Sequence, residues 1–280
     1  MKTEESPGTG AETGKPGPLI IIGGHEEKER DRPKAILEKI AVISAGERRK
    51  IVVVTVATNL PEEVGRDYCQ TFRLIGCPEV EVLDIRKRDD AFTPESLGKL
   101  DGAAVVFFTG GDQLRITSKL AGTPVLRKIR NLNEGGTAIA GTSAGAAAMS
   151  EHMIAAGPAR VTEKISEIVL YAGLGLMRGA VIDSHFSERG RFGRLCAAVA
   201  QKPGEMGIGI DEDTAIFVAE GSFFVIGSGC VYIVDASEST YSSLLEKPEG
   251  GITVFNTRVH VLASGHKFDL EQRKPISRRE

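Results

Sequence analysis

The sequence predicts an α/β fold in which helices cover both faces of a mainly parallel sheet and antiparallel strands extend its C-terminal edge. Short β-branched runs alternate with longer helical patterns along most of the chain. Residues 51–57, IVVVTVA, are apolar on both faces, as in a central parallel strand. Residues 252–263 alternate between apolar and polar, as in a half-buried antiparallel strand. Together these observations predict the class.

The elements follow from these patterns in chain order. The predicted strands are residues 19–22, 51–57, 80–83, 103–108, the run that ends at residue 142, residues 181–183, and short strands from residue 207 onward. The predicted helices are residues 33–45, 61–76, the segments between residues 113 and 133, the segment after residue 143, and a basic helix from about residue 187. Ligands bind beyond the carboxyl ends of parallel strands. We therefore expect the glycine-bearing strand ends at residues 23–24, 110–111 and 141–145 to converge.

Length and composition predict one domain. The chain has 280 residues, of which 41% are hydrophobic and 26% are charged, which is enough for a sizeable core. We expect a single α/β domain over residues 19–272. Residues 1–18, rich in Gly, Pro, Thr and Glu, are expected to be a disordered lead-in, and residues 273–280 a charged tail.

Charge and cysteine content argue against several classes of protein. The formal net charge of −3 argues against a general nucleic-acid-binding protein. No apolar run is long enough to span a membrane, and no secretory signal is visible. The four cysteines form no C-x-x-C pair and no cluster with histidine, so we expect free thiols and no zinc site. Free thiols are typical of a reducing compartment, and we expect a cytoplasmic location.

Residues 137–146, TAIAGTSAGA, predict a buried strand, a tight turn and a helix. Ser143 lies at the tip of the turn between Gly141 and Gly145, in the G-x-S-x-G pattern of a nucleophile elbow. A strand-to-helix turn also leaves backbone N–H groups beside the hydroxyl that can hold an oxyanion. A glycine-rich turn of this kind equally serves packing or phosphate binding. Taken alone, the segment leaves both interpretations open.

His185 is the histidine best placed to act as a base for Ser143. It follows the predicted strand at residues 181–183, so it should lie at the same edge of the sheet as the serine turn. Its near-neutral pKa suits removal of the serine proton and later protonation of a leaving amine. The alternative is a histidine that caps the following helix.

A third residue should orient the imidazole of His185. The polar stretch between the serine and the histidine offers Glu163 and Glu167, and we prefer Glu163. Asp183, two residues before His185, is the remaining candidate, although alternate positions of a strand usually share a face rather than meet. Either glutamate could equally be a solvated loop charge.

The strand end at residues 110–113, Gly-Gly-Asp-Gln, predicts a second part of the same site. Glycines there allow the backbone to approach a substrate closely. The N–H of Gly110 or Gly111, with that of Ala144, would make a two-donor oxyanion hole, in which each donor contributes about 3 kcal/mol to transition-state stabilisation.

Two charged clusters flank the predicted catalytic pair. Arg189, Arg191 and Arg194 follow His185 closely, and guanidinium groups so near one another need anions. They predict a cradle for substrate carboxylates, or else a solvated face paired with nearby carboxylates. Residues 211–213, Asp-Glu-Asp, end an apolar strand and predict a negative wall for a cationic group, or else a simple turn. A metal site at residues 211–213 is a further alternative, but no histidine accompanies them and their spacing is not that of a calcium loop, so we expect no metal.

Five segments, taken together and in this order, resemble the cyanophycinase family of serine peptidases, which also contains α-aspartyl dipeptidase. The matching segments are residues 108–124, 141–154, 173–177, 183–195 and 207–215. The resemblance implies a fold of the class I glutamine amidotransferase-like type and a cytoplasmic serine exopeptidase without a cofactor. The implied substrate is cyanophycin, a poly-aspartate with arginine on each side-chain carboxyl, and the product is the β-Asp-Arg dipeptide. A homodimer is also implied, with no nucleic-acid or membrane partner.

The same resemblance places the family's functional residues on this sequence. Its nucleophile falls on Ser143 and its base on His185. Its substrate-contacting positions fall on Gln113, Asp183, Arg189, Arg191, Arg194 and Glu212, with Glu212 expected to bind the substrate guanidinium. Ser184 stands where the family usually has glutamine, which alters one expected substrate contact.

Three other functions remain open at this stage. The chain could be a peptidase of the same family that acts on short aspartyl peptides, although such an enzyme needs no repeated anion cradle. It could be a non-enzymatic, amidotransferase-like binding module in which the Ser143 turn only holds an anion. Nucleotide binding at Gly23 and Gly24 is a weaker alternative, because the G-x-G-x-x-G pattern is absent.

Overall fold

A nine-stranded sheet forms the centre of the fold. The structure, a computed structural model, describes residues 15–26, 35–45, 50–156, 168–243 and 251–277. Five parallel strands lie side by side in the order β1 (Leu19–Ile22), β5 (Ala138–Thr142), β4 (Ala103–Phe108), β2 (Lys50–Val54) and β3 (Glu79–Leu83). Antiparallel strands continue the sheet beyond β1 in the order β10 (Thr214–Ala219), β11 (Ser222–Gly227), β16 (Lys267–Asp269) and β17 (Lys274–Ile276). The predicted class, with C-terminal antiparallel strands, is confirmed.

A second sheet of four strands packs beside the first. Its order is β15 (Arg258–Ala263), β12 (Cys230–Asp235), β9 (Met206–Ile210) and β8 (Ala180–Ser184), and only β8 and β9 are parallel. The strand pattern alone predicts β8 in the main sheet, because an apolar run does not specify its partner strand. Two short hairpins complete the strands: β6 (His152–Ala156) with β7 (Val169–Ala172), and β13 (Tyr241–Ser242) with β14 (Val254–Phe255).

Helices connect and cover the strands. They are α1 (Ala35–Ser44), α2 (Pro61–Leu74), a 3₁₀ helix (Arg88–Phe92), α3 (Pro94–Lys99), α4 (Gln113–Leu120), α5 (Pro124–Glu134), α6 (Ala144–Ala148) and α7 (Phe192–Gln201). The basic helix predicted from residue 187 begins only at residue 192. Gly190 has a left-handed backbone, with φ of 60°, which a right-handed helix does not accommodate. None of the helices described here combines the length and apolar character needed to cross a membrane.

Strand β2 shows why the central run is apolar at every position. Ile51 and Val53 pack on one face with Ile40 of α1 and Phe72 of α2. Val52 and Val54 pack on the other face, in a cluster that includes helices α4 and α5 and the second sheet. Both faces are therefore dry, as expected for a parallel strand between helix layers.

The fold brings several strand ends to one place. Strands β4, β5 and β8 end beside a common pocket, and the loops that follow them supply its polar groups. The loops after β1 and β9 contact His185 from outside this pocket. The convergence predicted for the glycine-bearing strand ends is present. The strand ends that converge belong to both sheets.

Candidate active site

Ser143 lies between β5 and α6 in a strained backbone conformation. Its φ of 53° and ψ of −110° are rare for a residue with a side chain, and such conformations cluster at functional sites. Its N–H donates to the carbonyl of Ile22 in β1 at 3.0 Å, which fixes the turn against the sheet. A Cβ on Gly145 would lie 2.5 Å from the carbonyl oxygen of Phe108, so only glycine lets α6 approach β4 this closely. The strand–turn–helix predicted around Ser143 is present.

His185 faces the serine hydroxyl. Its Nε2 lies 2.7 Å from Ser143 Oγ, within hydrogen-bond distance. The residue follows β8, and its backbone N–H donates to the carbonyl of Gly23 at 2.8 Å. The imidazole rests on Gly24, where a Cβ would lie 2.3 Å from the ring carbon Cε1. The glycine pair after β1 is thus the surface that supports the histidine ring.

Glu212 occupies the position behind the histidine. Its Oε1 lies 2.6 Å from His185 Nδ1. Glu212 stands in the connection from β9 to β10, where the chain passes from the second sheet to the first. The preferred third residue, Glu163, lies outside the described residues, as does Glu167. The resemblance assigns Glu212 to the substrate guanidinium, but one of its oxygens is already engaged by the protein.

The surroundings of His185 favour its neutral form. Burial lowers the pKa of His185, and the positive charges of Arg189 and Arg191 lower it further. The hydrogen bond and charge of Glu212 raise it, but the net effect of the surroundings is to lower the pKa. We assign the ring hydrogen to Nδ1, beside the carboxylate, which leaves the Nε2 lone pair directed at Ser143. The imidazole can then accept the serine proton at neutral pH and somewhat below the ordinary histidine pKa.

The charge of Arg189 is expected to set part of this pH dependence. Arg189 is exposed, and Arg189→Gln removes a charge that opposes protonation of His185, so the pKa of His185 should rise. The neutral base then forms only at higher pH. The acid limb of Ser143 labelling by a serine-directed phosphonylating reagent should move to higher pH, by a fraction of a unit. Arg66→Gln, which removes an exposed arginine far along the chain, should leave the limb in place. An unmoved limb in Arg189→Gln would contradict the assignment.

Asp183 holds two of the three arginines. The carboxylate is 2% exposed, and it accepts hydrogen bonds from Arg194 Nε at 2.6 Å, from Arg194 Nη2, and from Arg191 Nη1 at 3.1 Å. Arg191 also donates to the carbonyl of Ser184. Burial lowers the pKa of Arg191 to about 10, which still leaves it charged at neutral pH. Arg191 Nε is buried and finds no hydrogen-bond partner among the described residues.

This pairing corrects part of the sequence prediction. The cradle interpretation predicts that three guanidinium groups meet substrate carboxylates, whereas the single carboxylate of Asp183 pairs with two of them and offsets one of their charges. Arg189 is exposed beside the same pocket. The spacing of residues 183, 191 and 194 does not reveal this pairing, because a strand, a turn and a helix separate them.

Removing the Asp183 charge should destabilise the fold strongly. Asp183→Asn would leave the buried charges of Arg191 and Arg194 without their anion, which typically costs about 3–5 kcal/mol of unfolding free energy. Asp101→Asn is the matched control, because Asp101 pairs with Lys128 at 2.5 Å while its side chain is 72% exposed. We expect that control to change stability by less than about 1 kcal/mol. Urea unfolding of both variants measures the difference, and equal losses would contradict the role given to Asp183.

The acidic segment after β9 is used inside the protein. Asp211 accepts hydrogen bonds from the backbone N–H of Ser187 at 3.0 Å, from its hydroxyl at 2.6 Å, and from the backbone N–H of Cys230 at 3.0 Å. Asp211 therefore joins the loop after His185 to the second sheet. Asp211 and Glu212 both bond to groups of the protein itself, so these two residues do not form the negative wall that was expected for a cationic substrate.

Most of the predicted site residues line one pocket. They are Gly111, Gln113, Ser143, Ala144, Asp183, Ser184, His185, Arg189, Arg191 and Arg194. Gln113 Nε2 donates to the carbonyl of Ile154 at 2.8 Å, which joins α4 to the hairpin strand β6 at the pocket edge. Glu212 lies behind the histidine rather than on the pocket wall.

Glu26, beside the site, has no counterpart in the sequence prediction, whereas His25 follows Gly24 at a strand end and could be expected to line the site. Glu26 is buried, and its carboxylate accepts hydrogen bonds from Thr142 Oγ1 at 2.5 Å and from the Tyr68 hydroxyl. His25 packs edge to face against the His185 ring, with 5.5 Å between ring centroids. In sequence these residues open the polar run HEEKER, which is typical of a solvated loop. His25, His185 and Glu212 each offer one ligand atom, and these three atoms lie within 4.8 Å of one another. The three residues are therefore a candidate metal-binding group.

A serine on a strand-to-helix turn, facing a histidine that is backed by a carboxylate, defines the class of serine hydrolases. Residues 19–226 match the model of a protein family described as Peptidase family S51. The chain belongs to this family, and it is a serine-type peptidase.

Relatives of the chain carry the name cyanophycinase. One from Trichormus variabilis is 40% identical over 261 residues, which cover 91% of this chain and 86% of the relative. Another from Synechococcus elongatus is 37% identical over 264 residues, which cover 92% and 80%. The crystal structure of a peptidase from an acI-B1 Actinobacterium matches with a TM-score of 0.66 at 22% identity, covering 91% of this chain and 97% of that one. At that identity the likeness supports the fold alone.

Proposed function

We propose that this chain is a serine exopeptidase that hydrolyses cyanophycin and releases β-Asp-Arg dipeptides. The observation that carries the proposal is the 2.7 Å contact between Ser143 Oγ and His185 Nε2 inside a pocket lined by arginines. The relatives named cyanophycinase, which match nine-tenths of this chain, support the choice of substrate.

The reaction proceeds by acyl transfer. Ser143 Oγ attacks the carbonyl carbon of a backbone amide of the polymer, while His185 Nε2 accepts the hydroxyl proton. The tetrahedral intermediate collapses, the amide C–N bond breaks, and His185 returns the proton to the leaving amine. Water then attacks the acyl-enzyme with His185 again as the base, and this step releases the acid and restores the Ser143 hydroxyl.

The oxyanion of the tetrahedral intermediate is held by the backbone N–H groups of Gly111 and Ala144. Both residues line the pocket beside Ser143. Ala144 is the first residue of α6, where backbone N–H groups lack intrahelical partners. Gly110 is close as well, since a Cβ there would lie 3.4 Å from that of Ser143.

Glu212 is the third member of the catalytic group. Its contact of 2.6 Å with His185 Nδ1 supports this role, because a carboxylate there fixes the tautomer and stabilises the imidazolium formed during the reaction. Glu163, the residue expected from the sequence, lies outside the described residues.

Arg189 and Arg191 recognise the α-carboxylates of the arginine branches of the polymer, because its aspartate side-chain carboxyls are amide-linked. Arg189 is exposed at the pocket, and Arg191 lines the same pocket. Asp183 holds Arg191 and Arg194 in place and so shapes this part of the pocket. Gln113 and Ser184 line the same pocket, and the short side chain of Ser184 leaves room where the family usually has glutamine.

The choice of substrate is tested by comparing kcat/KM for cyanophycin with that for Asp-X dipeptides. Polymer turnover should exceed dipeptide turnover, because the polymer presents a carboxylate on each successive arginine branch, where Arg189 and Arg191 can bind it. Arg189→Gln should raise KM for cyanophycin, by about tenfold if one charge-assisted hydrogen bond is lost. Faster turnover of Asp-X dipeptides would instead favour the dipeptidase alternative.

A homodimer in the cytoplasm is also part of the proposal. Val259 and Val261 lie on one face of the edge strand β15, with 46% and 57% of their surface exposed. These exposed apolar side chains support contact with a second copy of the chain at this strand. Light scattering measures the assembly. All four cysteines are free thiols, as is typical of a reducing compartment.

A further inference from the structure

His25 lies on the exposed side of the catalytic histidine. Its Nε2 is 3.7 Å from Glu212 Oε1, too long for a hydrogen bond, and 54% of its side chain is exposed. Solvent therefore reaches an imidazole that faces both Glu212 and His185. The backbone of His25 is left-handed, with φ of 49°, so its direction is set by the turn after β1.

We infer that His25, His185 and Glu212 form an inhibitory binding site for Zn²⁺. Two imidazoles and one carboxylate are a common ligand set for zinc with one open position. In a tetrahedral site with bonds of about 2.0–2.1 Å, ligand atoms lie roughly 3.4 Å apart. The three residues offer atoms within 4.8 Å of one another, and the separations of 3.7 Å and 2.6 Å bracket that value. Small side-chain rotations are enough to complete the site.

Zinc at this position disables the base that the proposed function requires. Metal bound to His185 Nδ1 leaves the single hydrogen of the neutral ring on Nε2. That nitrogen, 2.7 Å from Ser143 Oγ, then donates a hydrogen bond and cannot accept the serine proton. The metal also takes the Glu212 oxygen away from the imidazole. Acylation of Ser143 therefore stops although the substrate pocket stays open.

Titration calorimetry with zinc chloride tests the site without any substrate. The wild-type chain should bind one Zn²⁺, and His25→Gln should weaken that binding at least about tenfold, a loss in the range seen on disturbing a metal site. His152→Gln is the matched control, since His152 also contacts a glutamate, with Nδ1 2.5 Å from Glu205 Oε1. It should leave the affinity unchanged. Equal zinc affinity in wild type and His25→Gln would overturn the inference.

Inhibition by zinc is measured as a fall in the rate at which a phosphonylating reagent labels Ser143. The rate of each variant with zinc is compared with the rate of the same variant without zinc. Half-maximal inhibition of the wild type should match the calorimetric affinity, and His25→Gln should need at least about tenfold more zinc, in line with its weaker binding. Zinc that binds at this affinity but leaves labelling unchanged would overturn the inhibitory role. A serine that is never labelled would instead count against the proposed function, while calorimetry still decides the site.

Glu26 supports a second, independent inference about the same reaction. This carboxylate is 4% exposed, and within the described residues both of its hydrogen-bond partners are hydroxyls, those of Thr142 and Tyr68. These two hydrogen bonds tie the turn after β1 to α2 and to the end of β5. Thr142 directly precedes Ser143, and Glu26 lies two residues after Gly24, which contacts His185 together with Gly23.

The geometry points to Glu26 as a positioning residue that holds the serine turn and the support of the histidine at a fixed separation. It acts through Thr142 and through the turn at residues 23–26, and it touches no reacting atom. A displacement of about 1 Å between catalytic groups can cost 10²-fold in rate. Loss of the Glu26–Thr142 bond should therefore lower the maximal rate while the pocket keeps its affinity.

Matched variants separate this role from simple stabilisation. Glu26→Gln and Thr142→Val should each lower the maximal rate of Ser143 phosphonylation by about 10–100-fold, with little change in the half-saturating reagent concentration. Thr142→Ser keeps the hydroxyl and should restore most of the rate. Asp235→Asn removes another buried carboxylate, 2% exposed, and should lower the melting temperature without changing the maximal rate of the folded protein. Glu26→Gln with a lowered melting temperature and a normal maximal rate would overturn the inference.

Discussion

Ser143→Ala is expected to release β-Asp-Arg from cyanophycin roughly 10⁴–10⁶-fold more slowly than the wild-type chain, the range seen when a serine nucleophile is removed. The alanine cannot form the acyl-enzyme, and the proton acceptor His185 Nε2 loses its partner at 2.7 Å. Residual release would come from the oxyanion donors and from substrate binding alone. The initial rate of soluble dipeptide formation, measured by chromatography, gives the comparison.

The control for this variant is Ser118→Ala. Ser118 is an exposed serine whose hydroxyl donates only to a backbone carbonyl in its own helix. We expect its rate to stay near that of the wild type. Polymer binding by Ser143→Ala should also persist, since the arginines of the pocket are untouched. Dipeptide release by Ser143→Ala at the wild-type rate would remove Ser143 from the mechanism.

Glu212→Gln is expected to lower kcat by roughly 10³–10⁴-fold, as the corresponding carboxylate-to-amide change does in serine peptidases. The amide can donate to His185 Nδ1, which favours the tautomer with hydrogen on Nε2, and that tautomer cannot accept the serine proton. The imidazolium formed during acylation also loses its counter-charge at 2.6 Å. KM should change far less than kcat, because Glu212 lies behind the histidine.

Comparison with Glu163→Gln shows whether Glu212 or Glu163 is the carboxylate that orients His185. Both variants replace one carboxylate by an amide of the same shape, and the sequence pattern alone favours Glu163. We expect Glu163→Gln to keep kcat within a small factor of the wild type. A large loss in Glu163→Gln together with a normal kcat in Glu212→Gln would reverse the assignment of the third residue.

Local patterns predicted much of the fold. The central strands follow from apolar runs such as residues 51–54, which pack on both faces, and the strand before Ser143 follows from a similar run. The separation of β8 and β9 into a second sheet was not predictable, because strand pairing depends on contacts far apart in sequence. The late start of α7 after Gly190 was missed because the basic residues there resemble a helical surface.

The sequence predicted a site residue where a residue of suitable chemistry directly follows a strand. Ser143 and His185 each follow a strand, and the structure brings them within hydrogen-bond distance. The role of Glu212 depends on the crossing of the chain between two sheets, which no local pattern encodes. The resemblance assigns Asp183 to a substrate contact, and the structure shows its carboxylate in a buried ion pair with Arg191 and Arg194, which no local pattern predicts.

Product analysis of cyanophycin digestion tests the central claim most directly. The wild-type chain, incubated with the polymer, should produce β-Asp-Arg from the earliest time points, with no accumulation of longer oligomers, and Ser143→Ala should produce none at the same time points. Mass spectrometry identifies the products. Intact polymer after incubation with folded wild-type protein, or longer oligomers formed before any dipeptide, would contradict an exopeptidase built on Ser143, His185 and Glu212.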